Sequence, residues 1–251
     1  SGVHTPHFYA EMWKVLGETG RWCGEVWNRR RNGEIYPQWG SISAVLDGDG
    51  KVRNYVAVFS DISKAKQAEE KLFHLANHDT LTGLPNRLNF TEHLANMLER
   101  CKRGDSGAAV VFIDLDRFKI INDTLGHAVG DKYLKTIAER LLFATRKQDL
   151  LGRWGGDEFV LAMQGVRDPR IITEALTRMQ QLLAEPIHLA GHELIPGASM
   201  GVALFPDDGR KPADLIQSAD AAMYRAKARG RNCVEFYATE MSRDLELPLT
   251  L

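Results

Sequence analysis

The sequence predicts an α+β protein with a central, mostly antiparallel sheet and flanking helices. Short apolar runs that are typical of buried strands alternate with stretches whose apolar residues recur every three or four positions, as in helices. Gly155-Gly156, which lies between two apolar runs, indicates a β-hairpin and therefore antiparallel pairing. The chain has 251 residues, of which 44% are hydrophobic and 26% charged, so it is globular and long enough for two domains.

Charge and cysteine content exclude several classes of protein. The formal net charge of −1 gives no general affinity for polyanions, so we expect no nucleic-acid partner and no membrane contact. No apolar run approaches the roughly 20 residues that span a bilayer, and no signal peptide opens the chain. The three cysteines match neither a disulfide framework nor metal-ligand spacing, which favours a reducing, cytoplasmic location: Cys23, Cys101 and Cys233.

The first 62 residues predict a short helix followed by a three-stranded antiparallel meander. The helix begins near Phe8 and ends near Gly17 or Gly20. Two turn signals, Asn32-Gly33 and 47–50, separate the strands, and the apolar run 55–59 is the last strand. We interpret the tryptophans here as core residues rather than cofactor contacts: Trp13, Trp22, Trp27 and Trp39.

This segment is similar to the C-terminal half of a PAS domain. The resemblance rests on Gly20-Arg21-Trp22-x-Gly24-Glu25-x-Trp27-Asn28-Arg29, Gly33-Glu34-x-Tyr36-Pro37 and Phe59-Ser60-Asp61-Ile62. It implies that residues 1–62 are a partial PAS domain without the strands and helices that form a ligand pocket. No sensed ligand follows from it.

Residues 63–78 predict one amphipathic helix with charge pairs four residues apart. Its apolar positions suit a short coiled-coil seam between two chains: Ala65, Ala68, Leu72 and Leu75. A plain connector packed on its own domain explains so few turns equally well. In either case the helix joins the first domain to the second.

Carboxylates follow a predicted buried strand in the second domain. Asn86 is expected to cap a helix that runs to about Arg100, and the apolar run 110–113 is expected to be a buried strand. Asp114 and Asp116 come directly after it, and carboxylates at such a place are costly unless something pairs with them. A bound cation shared with Asp157 is one such partner. A helix N-cap role is the alternative for Asp116.

Further polar and basic residues accompany the next helices. Asn122 and Asp131 present edges suited to guanine, although alone they would be ordinary turn and cap residues. Arg146, after a helix predicted from His127, suits either the helix dipole or a phosphate. Further helices are predicted at 169–185 and 220–227, with a strand at 198–205 between them; Lys227 and Arg231 lie one turn apart.

Four motifs in order now identify a close resemblance to the GGDEF family. They are His78-Asp79-x-Leu81-Thr82-Gly83-Leu84-Pro85-Asn86-Arg87, the stretch from Asp114 to Asp131, the hairpin Gly155-Gly156-Asp157-Glu158-Phe159, and Ala219-Asp220-x-Ala222-x-Tyr224-x-Ala226-Lys227-x-x-Gly230-Arg231-Asn232. The resemblance implies a palm-like fold related to nucleotide cyclases. It also implies diguanylate cyclase activity, in which two GTP condense to cyclic di-GMP and two pyrophosphates.

The resemblance assigns a role to each site residue. Asp114, Asp157 and Glu158 would hold Mg²⁺ (or Mn²⁺) with the Leu115 carbonyl. Asp157, Glu158 and Lys119 would be catalytic, Asp157 as proton acceptor and Lys119 against transition-state charge. The substrate-binding residues would contact guanine and phosphates: Asn122, Asp131, His127, Gly155, Gly156, Phe118, Lys227 and Arg231. Arg146 and Asp149 match an inhibitory product site.

The same resemblance implies a homodimer, because one domain binds one GTP and a symmetric product needs two. We expect a partial PAS domain at 1–62, a linker helix at 63–78, the cyclase domain at 79–240 and a linker to a further domain at 241–251. The alternative is a GTP-binding regulatory module that controls a downstream EAL phosphodiesterase domain. A purely structural dimerisation module does not explain the polar residues at the nucleotide positions.

Overall fold

The computed structural model of the protein describes residues 2–237, and the chain divides into two compact units, 1–76 and 77–251. The predicted linker at 241–251 and the end of the predicted domain at 240 lie outside the described residues. Each unit is built around its own sheet. Within the described residues, none of the helices combines the length and apolar character that a bilayer crossing requires.

The first unit confirms the predicted helix and antiparallel meander. It comprises α1 (Pro6–Thr19), β1 (Arg21–Arg29), β2 (Ile35–Leu46), β3 (Val52–Asp61) and α2 (Ser63–Asn77), with the strands in the order β1-β2-β3. Thr5 caps α1 at its start. The helix continues through Gly17 and ends at Gly20, whose φ of 71° is the left-handed conformation that glycine adopts without strain.

The core of this unit is small, and our interpretation of its tryptophans is wrong for two of the four. Met12 and Leu16 of α1 pack on Ile42 and the partly buried Trp22. Trp13 on α1 and Trp39 on β2 are 51% and 49% exposed. One helix cannot cover both faces of a three-stranded sheet, which leaves Trp39 uncovered. Every residue of β3 is exposed, because α1 packs on β1 and β2.

The second unit confirms the predicted fold class, with helices on both faces of a mostly antiparallel sheet. Among residues 77–237, five strands form this sheet in the order β10-β9-β4-β6-β5, and of these only β10 runs parallel to its neighbour. A separate two-stranded hairpin lies beside them. The elements are α3 (Arg87–Arg103), β4 (Ala108–Leu115), α4 (Phe118–Leu125), α5 (His127–Ala144), β5 (Leu150–Gly155), β6 (Glu158–Gln164), α6 (Pro169–Leu183), β7 (Ile187–Leu189), β8 (His192–Leu194), β9 (Ala198–Phe205), α7 (Pro212–Ala228) and β10 (Val234–Phe236).

The central strands of this sheet are buried on both faces. Every residue of β4 and β9 is buried, which explains their near-continuous apolar sequences. Alternate residues of β4 enter opposite cores, since side chains of a strand alternate between faces. Val111 and Ile113 pack in the core with α5 and α6, whereas Val110 and Phe112 pack in the core with α3 and α7.

Most predicted boundaries in this unit hold within a few residues. Asn86 caps α3 through a hydrogen bond from the Asn89 N–H, as predicted. The strand at 198–205 has the predicted bounds, whereas α7 begins at Pro212, a full two turns before the predicted start. Gly201 lets α7 approach β9 closely, because a β-carbon there would lie 2.0 Å from the Ala219 carbonyl oxygen.

Candidate active site

The hairpin between β5 and β6 forms as predicted, but its turn is one residue later. Gly155 pairs with Glu158, and the two turn residues are Gly156 and Asp157 rather than Gly155 and Gly156. Gly156 has φ of 51° and Gly155 has φ of 155°, conformations in which a β-carbon would be strained. The register shift after Arg153 moves Asp157 from the flank of the turn to its tip.

Arg153 holds this turn in place, a role that we did not predict from the sequence. Its Nη1 donates to both carboxylate oxygens of Asp79, at 2.9 and 3.0 Å. Its Nε and Nη2 donate to the Gly156 carbonyl oxygen at 3.0 and 2.6 Å. Burial raises the pKa of Asp79, but hydrogen bonds from Thr82 and Arg153 outweigh that effect and leave this pKa below its ordinary value. The carboxylate is therefore ionised and ties the loop before α3 to the hairpin.

An acidic cluster forms where β4 ends beside the hairpin. Asp114 is 6% exposed and lies opposite Glu158 on β6 and Ser199 on β9. Burial raises the pKa of Asp114, and the nearby Asp157 adds to the rise. Burial likewise raises the pKa of Glu158, with repulsion from Asp114 and Asp157. This cluster is costly to ionise, so the site has a high affinity for positive charge.

Lys227 supplies part of that positive charge. Its Nζ on α7 lies 2.6 Å from Asp114 Oδ2, and the two side chains are 30% and 9% exposed. Lys119 at the start of α4 and Arg231 just after α7 are exposed. The Leu115 N–H donates to the Asp157 carbonyl oxygen at 3.2 Å, which joins the end of β4 to the turn of the hairpin.

The proposed N-cap role of Asp116 is wrong. Arg117 is the N-cap of α4, and no side chain makes a capping hydrogen bond there. Asp116 instead accepts hydrogen bonds from Ser199 Oγ at 2.8 Å and from the Asn232 N–H at 2.9 Å. Its carboxylate is turned toward β9 and the segment after α7.

The α4–α5 helical hairpin carries the residues expected to contact guanine. Asn122 lies in α4 and Asp131 in the first turn of α5, where it is exposed. Asn122 Oδ1 is buried and has no hydrogen-bond partner among residues 2–237. Since a β-carbon at Gly130 would lie 1.9 Å from this oxygen, only glycine leaves it room. The expected neighbours are also here: Phe118 is buried against Tyr133, and His127 is exposed at the start of α5.

A separate pocket of about 490 Å³ lies beside Arg146 and Asp149, away from the hairpin turn. Burial raises the pKa of Asp149, whose Oδ1 accepts a hydrogen bond from the Gln164 N–H at 3.1 Å. Arg178 on α6 lines the same pocket. No sequence motif connects Arg178 with Arg146, because only the packing of α6 on the sheet brings the two together.

The side chains around Asp114 suit a divalent cation that arrives with a phosphate. Within the described part of the chain, no three His, Cys, Asp or Glu side chains form a preformed cage. Mg²⁺ commonly binds to one or two carboxylates and completes its octahedron with water and substrate phosphates. Repulsion among the carboxylates of Asp114, Asp157 and Glu158 contributes to the raised pKa values of Asp114 and Glu158. These carboxylates therefore fit that requirement.

This fold and site define a class: an α+β domain with carboxylates on a central strand and hairpin, flanked by cations and by an unsatisfied amide. Such a set of groups suits a metal-bound nucleotide. The family model described as "Diguanylate cyclase, GGDEF domain" matches residues 76–233. The chain belongs to the GGDEF family.

Relatives and solved structures agree with this assignment. The bifunctional diguanylate cyclase/cyclic di-GMP phosphodiesterase MucR of Pseudomonas aeruginosa is 38% identical over 210 residues, which are 84% of this chain and 30% of MucR. A solved structure of only the GGDEF domain of TpbB (YfiN) from the same species is 37% identical, with a TM-score of 0.63, and covers 67% of this chain and 99% of that chain. A microbial GGDEF domain described in its interaction with cyclic di-GMP is 30% identical, with a TM-score of 0.57, over 66% of this chain and 99% of that chain. The chain thus spans less than a third of the length of MucR.

Proposed function

We propose that the protein is a diguanylate cyclase that condenses two GTP into cyclic di-GMP. The observation that carries the proposal is the pairing of Asp114 with Glu158 at the Gly-Gly hairpin, within a domain that belongs to the GGDEF family. In each half-reaction, the 3′-oxygen of one GTP bonds to the α-phosphorus of the other and pyrophosphate leaves. Two such steps close the ring.

The nucleotide would lie between the α4–α5 hairpin and the β5–β6 hairpin. Asn122 and Asp131 would hold the guanine edge, since the buried Asn122 oxygen has a free lone pair for a base N–H. Lys227 and Arg231 would bind the phosphates, and Gly155 and Gly156 would let the backbone approach them. Phe118 and His127 would complete the base pocket from α4 and α5.

The catalytic groups would come from the hairpin and from α4. Bound Mg²⁺ or Mn²⁺ would neutralise the triphosphate and make the 3′-hydroxyl more acidic. Asp114, Glu158, Asp157 and the Leu115 carbonyl would hold that cation. Asp157 would accept the 3′-hydroxyl proton, and Glu158 would act beside it as a ligand of the cation. Lys119, exposed at the start of α4, would stabilise charge that develops on the α-phosphate.

We further propose that catalysis takes place in a homodimer. One domain presents one nucleotide, so two domains related by a twofold axis must face each other for both 3′-oxygens to attack. The exposed apolar residues of α2 would supply the seam between the two chains, since Leu72 and Leu75 are 66% and 47% exposed. The first unit, which we propose to be a partial PAS domain, would regulate this encounter.

The pocket beside Arg146 is proposed as a product-inhibition site. Arg146 and Arg178 would pair with the phosphates of cyclic di-GMP, and Asp149 would accept a guanine N–H. The 30% identical GGDEF domain described with cyclic di-GMP supports a product-binding role for this domain type.

The second candidate is a GTP-binding regulatory module in a longer protein. MucR, whose name includes both activities, favours it, because this chain corresponds to only 30% of MucR. The site argues for a competent enzyme, since both acids of the hairpin are present.

The test is product formation. The protein is incubated with GTP and Mg²⁺ at several protein concentrations, and cyclic di-GMP is quantified by chromatography beside Asp157→Ala. We expect product that rises faster than linearly with protein and is absent in the variant. GTP binding without product would favour the regulatory candidate.

A further inference from the structure

A turn with unusual backbone conformations carries Arg231, one of the proposed phosphate-binding residues. After α7, Gly230 has φ of 118°, and both Arg231 (φ 69°) and Asn232 (φ 48°) are left-handed. A residue with a β-carbon is uncommon in this conformation; the conformation is strained for arginine, whereas asparagine adopts it more readily. Because the Arg231 side chain is exposed, the backbone of this turn decides where the guanidinium is presented.

Asp116 accepts a hydrogen bond from the backbone of this turn. Its Oδ2 accepts the Asn232 N–H at 2.9 Å, and its Oδ1 accepts the Ser199 Oγ–H at 2.8 Å. Its own N–H donates to the Gly197 carbonyl oxygen at 2.9 Å. The carboxylate is thus fixed from β9 through one oxygen and holds the backbone of the turn with the other.

The ends of the turn are anchored independently. The Arg231 N–H donates to the Ala226 carbonyl oxygen at 3.1 Å, which closes the end of α7. On the other side, the Cys233 carbonyl oxygen accepts the Met200 N–H at 2.9 Å, where β10 joins β9. Between these anchors, the Asp116 carboxylate accepts the Asn232 N–H. A β-carbon at Gly197 would lie 3.3 Å from Asp116 Oδ2, so the three segments are in close contact.

We propose that Asp116 is a positioning residue, whose carboxylate holds the Arg231-Asn232 turn so that Arg231 meets the phosphates of the bound nucleotide. The proposal rests on the proposed function, which assigns Arg231 to the phosphates. In this proposal Asp116, two residues beyond Asp114, does not contact the substrate. It acts on the phosphates only by positioning Arg231.

The sign of the effect separates positioning from simple electrostatics. A carboxylate near an anion repels it, so deletion of Asp116 would by charge alone strengthen triphosphate binding. Deletion of a positioning carboxylate weakens the binding instead, because the turn relaxes and Arg231 moves away.

The experiment measures binding of a probe that cannot react. In the presence of Mg²⁺, 3′-deoxy-GTP, which lacks the nucleophilic hydroxyl, is titrated calorimetrically, and 3′-deoxyguanosine is titrated by NMR. We expect Asp116→Ala and Arg231→Ala each to weaken 3′-deoxy-GTP binding about 10-fold, as for the loss of one charge-assisted contact. Affinity for 3′-deoxyguanosine, which has no phosphates, should change by less than about 2-fold. The double variant should be no weaker than Arg231→Ala, since the two residues act as one unit.

Conservative and control variants complete the test. Asp116→Asn keeps an oxygen for the Asn232 N–H and gives Ser199 a donor, so its affinity should equal or exceed that of the wild type. Asp168→Ala, which also removes a carboxylate-to-backbone hydrogen bond but at the start of α6, should bind normally. If Asp116→Ala does not fold, Asp116→Glu keeps the charge while displacing the oxygens, and it should bind 3′-deoxy-GTP more weakly.

The outcomes distinguish this proposal from the proposed function. Normal 3′-deoxy-GTP affinity in Arg231→Ala overturns the phosphate role of Arg231 and this proposal with it. A weakened Arg231→Ala beside a normal or tighter Asp116→Ala overturns this proposal alone. An equal loss of 3′-deoxyguanosine binding in Asp116→Ala also overturns it, because the defect would then extend beyond the phosphates.

Discussion

At the scale of single residues, the carboxylates of the candidate site interact unfavourably, and a bound cation would relieve this repulsion. Asp114 on β4 lies opposite Glu158 on the adjacent strand β6, and burial raises the pKa of both carboxyl groups. Lys227 offsets part of this repulsion at Asp114. Because carboxylates so placed cost stability in the free protein, their presence is better explained by function than by folding.

Glu158→Gln should make the free protein more stable and the enzyme inactive. The raised pKa of Glu158 means that the folded state prefers the neutral form, which glutamine imitates. Glu158 therefore costs stability above its folded pKa, and the cost disappears as the pH falls through that pKa. We expect Tm to rise by about 1–3 °C at pH 7.5 and the difference to vanish near pH 4, since well under about 1 kcal/mol is involved at this partly exposed group.

The measurements for this variant are calorimetric Tm values between pH 4 and 8 and the rate of cyclic di-GMP formation. Glu99→Gln is the control, because Glu99 is exposed and pairs loosely with Lys102. An unchanged or lower Tm for Glu158→Gln at pH 7.5 would contradict the proposed charge repulsion.

Arg146→Ala and Arg178→Ala should each relieve product inhibition and leave the turnover number nearly unchanged. Both residues line the pocket beside Asp149 and lie apart from the hairpin turn. Loss of one arginine–phosphate contact should raise the inhibition constant of cyclic di-GMP about 10- to 100-fold. Initial rates with added cyclic di-GMP measure this constant, and Lys147→Ala, next to Arg146 but outside the pocket, is the control. Inhibition at the wild-type constant in both arginine variants would exclude this pocket as the product site.

At the scale of elements, the hairpin turn is held by contacts with the loop that precedes α3. Arg153 joins the Gly156 carbonyl oxygen to the carboxylate of Asp79, which precedes α3. The Arg153 N–H also donates to the Pro85 carbonyl oxygen at 2.9 Å. A two-residue turn that contains Gly156 and directly follows Gly155 is flexible by itself, so the carboxylates beside it need this external support.

Arg153→Lys should lower kcat about 10-fold or more and change KM by less than about 3-fold, since lysine cannot make the forked contacts. Asp79→Asn should have a similar effect, and the double variant should lose little more, because both residues serve one contact. Steady-state kinetics with GTP and a Tm measurement separate misplacement from unfolding. Arg167→Lys provides the control, since it alters an exposed pair with Asp105. Independent, additive losses in the double variant would show that Arg153 does not act through Asp79.

Elements with strong local signals were predictable from the sequence. The bounds of β9 and the Asn86 cap of α3 are as predicted, because a continuous apolar run and a cap residue are local properties. β7, β8 and β10 have three residues each and were not predicted. Strands this short carry no periodic pattern, and their pairing depends on neighbours that are distant in sequence.

The sequence predicted that Asp114 lies beside the acids of the hairpin, but it did not predict all the contacts of the candidate site. Asp114 and Glu158 come together because β4 and β6 pair, a pairing that was not predicted. The true partners of Asp116 and the position of Arg178 depend on how β9, α6 and α7 pack. Such tertiary contacts leave no trace in local spacing. Trp13 and Trp39 were predicted to be core residues but are exposed. Composition alone does not say how much of a small domain's apolar surface other elements cover.

At the scale of the whole molecule, two units each have their own sheet, and α2 connects them in the chain. Within the described residues, α2 has no buried side chain, although it is amphipathic. The Asp61 carboxylate accepts the Ser63 N–H at 2.9 Å, and hydrogen bonds from Ser63 lower the pKa of Asp61 to about 2. The start of α2 is thus well fixed, while Leu72 and Leu75 near its end are exposed.

Leu72→Glu should weaken dimerisation and so lower specific activity at low protein concentration. A charge placed in an apolar seam must be desolvated or must separate the helices, and either effect disfavours the dimer. We expect the concentration for half-maximal specific activity to rise about 10-fold or more, with the same limiting activity at high concentration. Analytical ultracentrifugation gives the dimer dissociation constant beside the activity curve.

Gln67→Glu is the matched control, because it adds the same charge to the same exposed helix about 140° around its axis from Leu72. Leu72→Ala tests apolar contact without charge and should show a smaller shift in the same direction. The dimer dissociation constant and the concentration for half-maximal activity must shift together, since a symmetric product requires two active sites that face each other. A Leu72→Glu protein with a weakened dimer but an unchanged activity curve would mean that α2 is a connector and that the catalytic dimer forms through other surfaces. If instead both curves shift in parallel, association of α2 controls the reaction, and any signal that reaches the first unit can act by changing how often two catalytic domains meet.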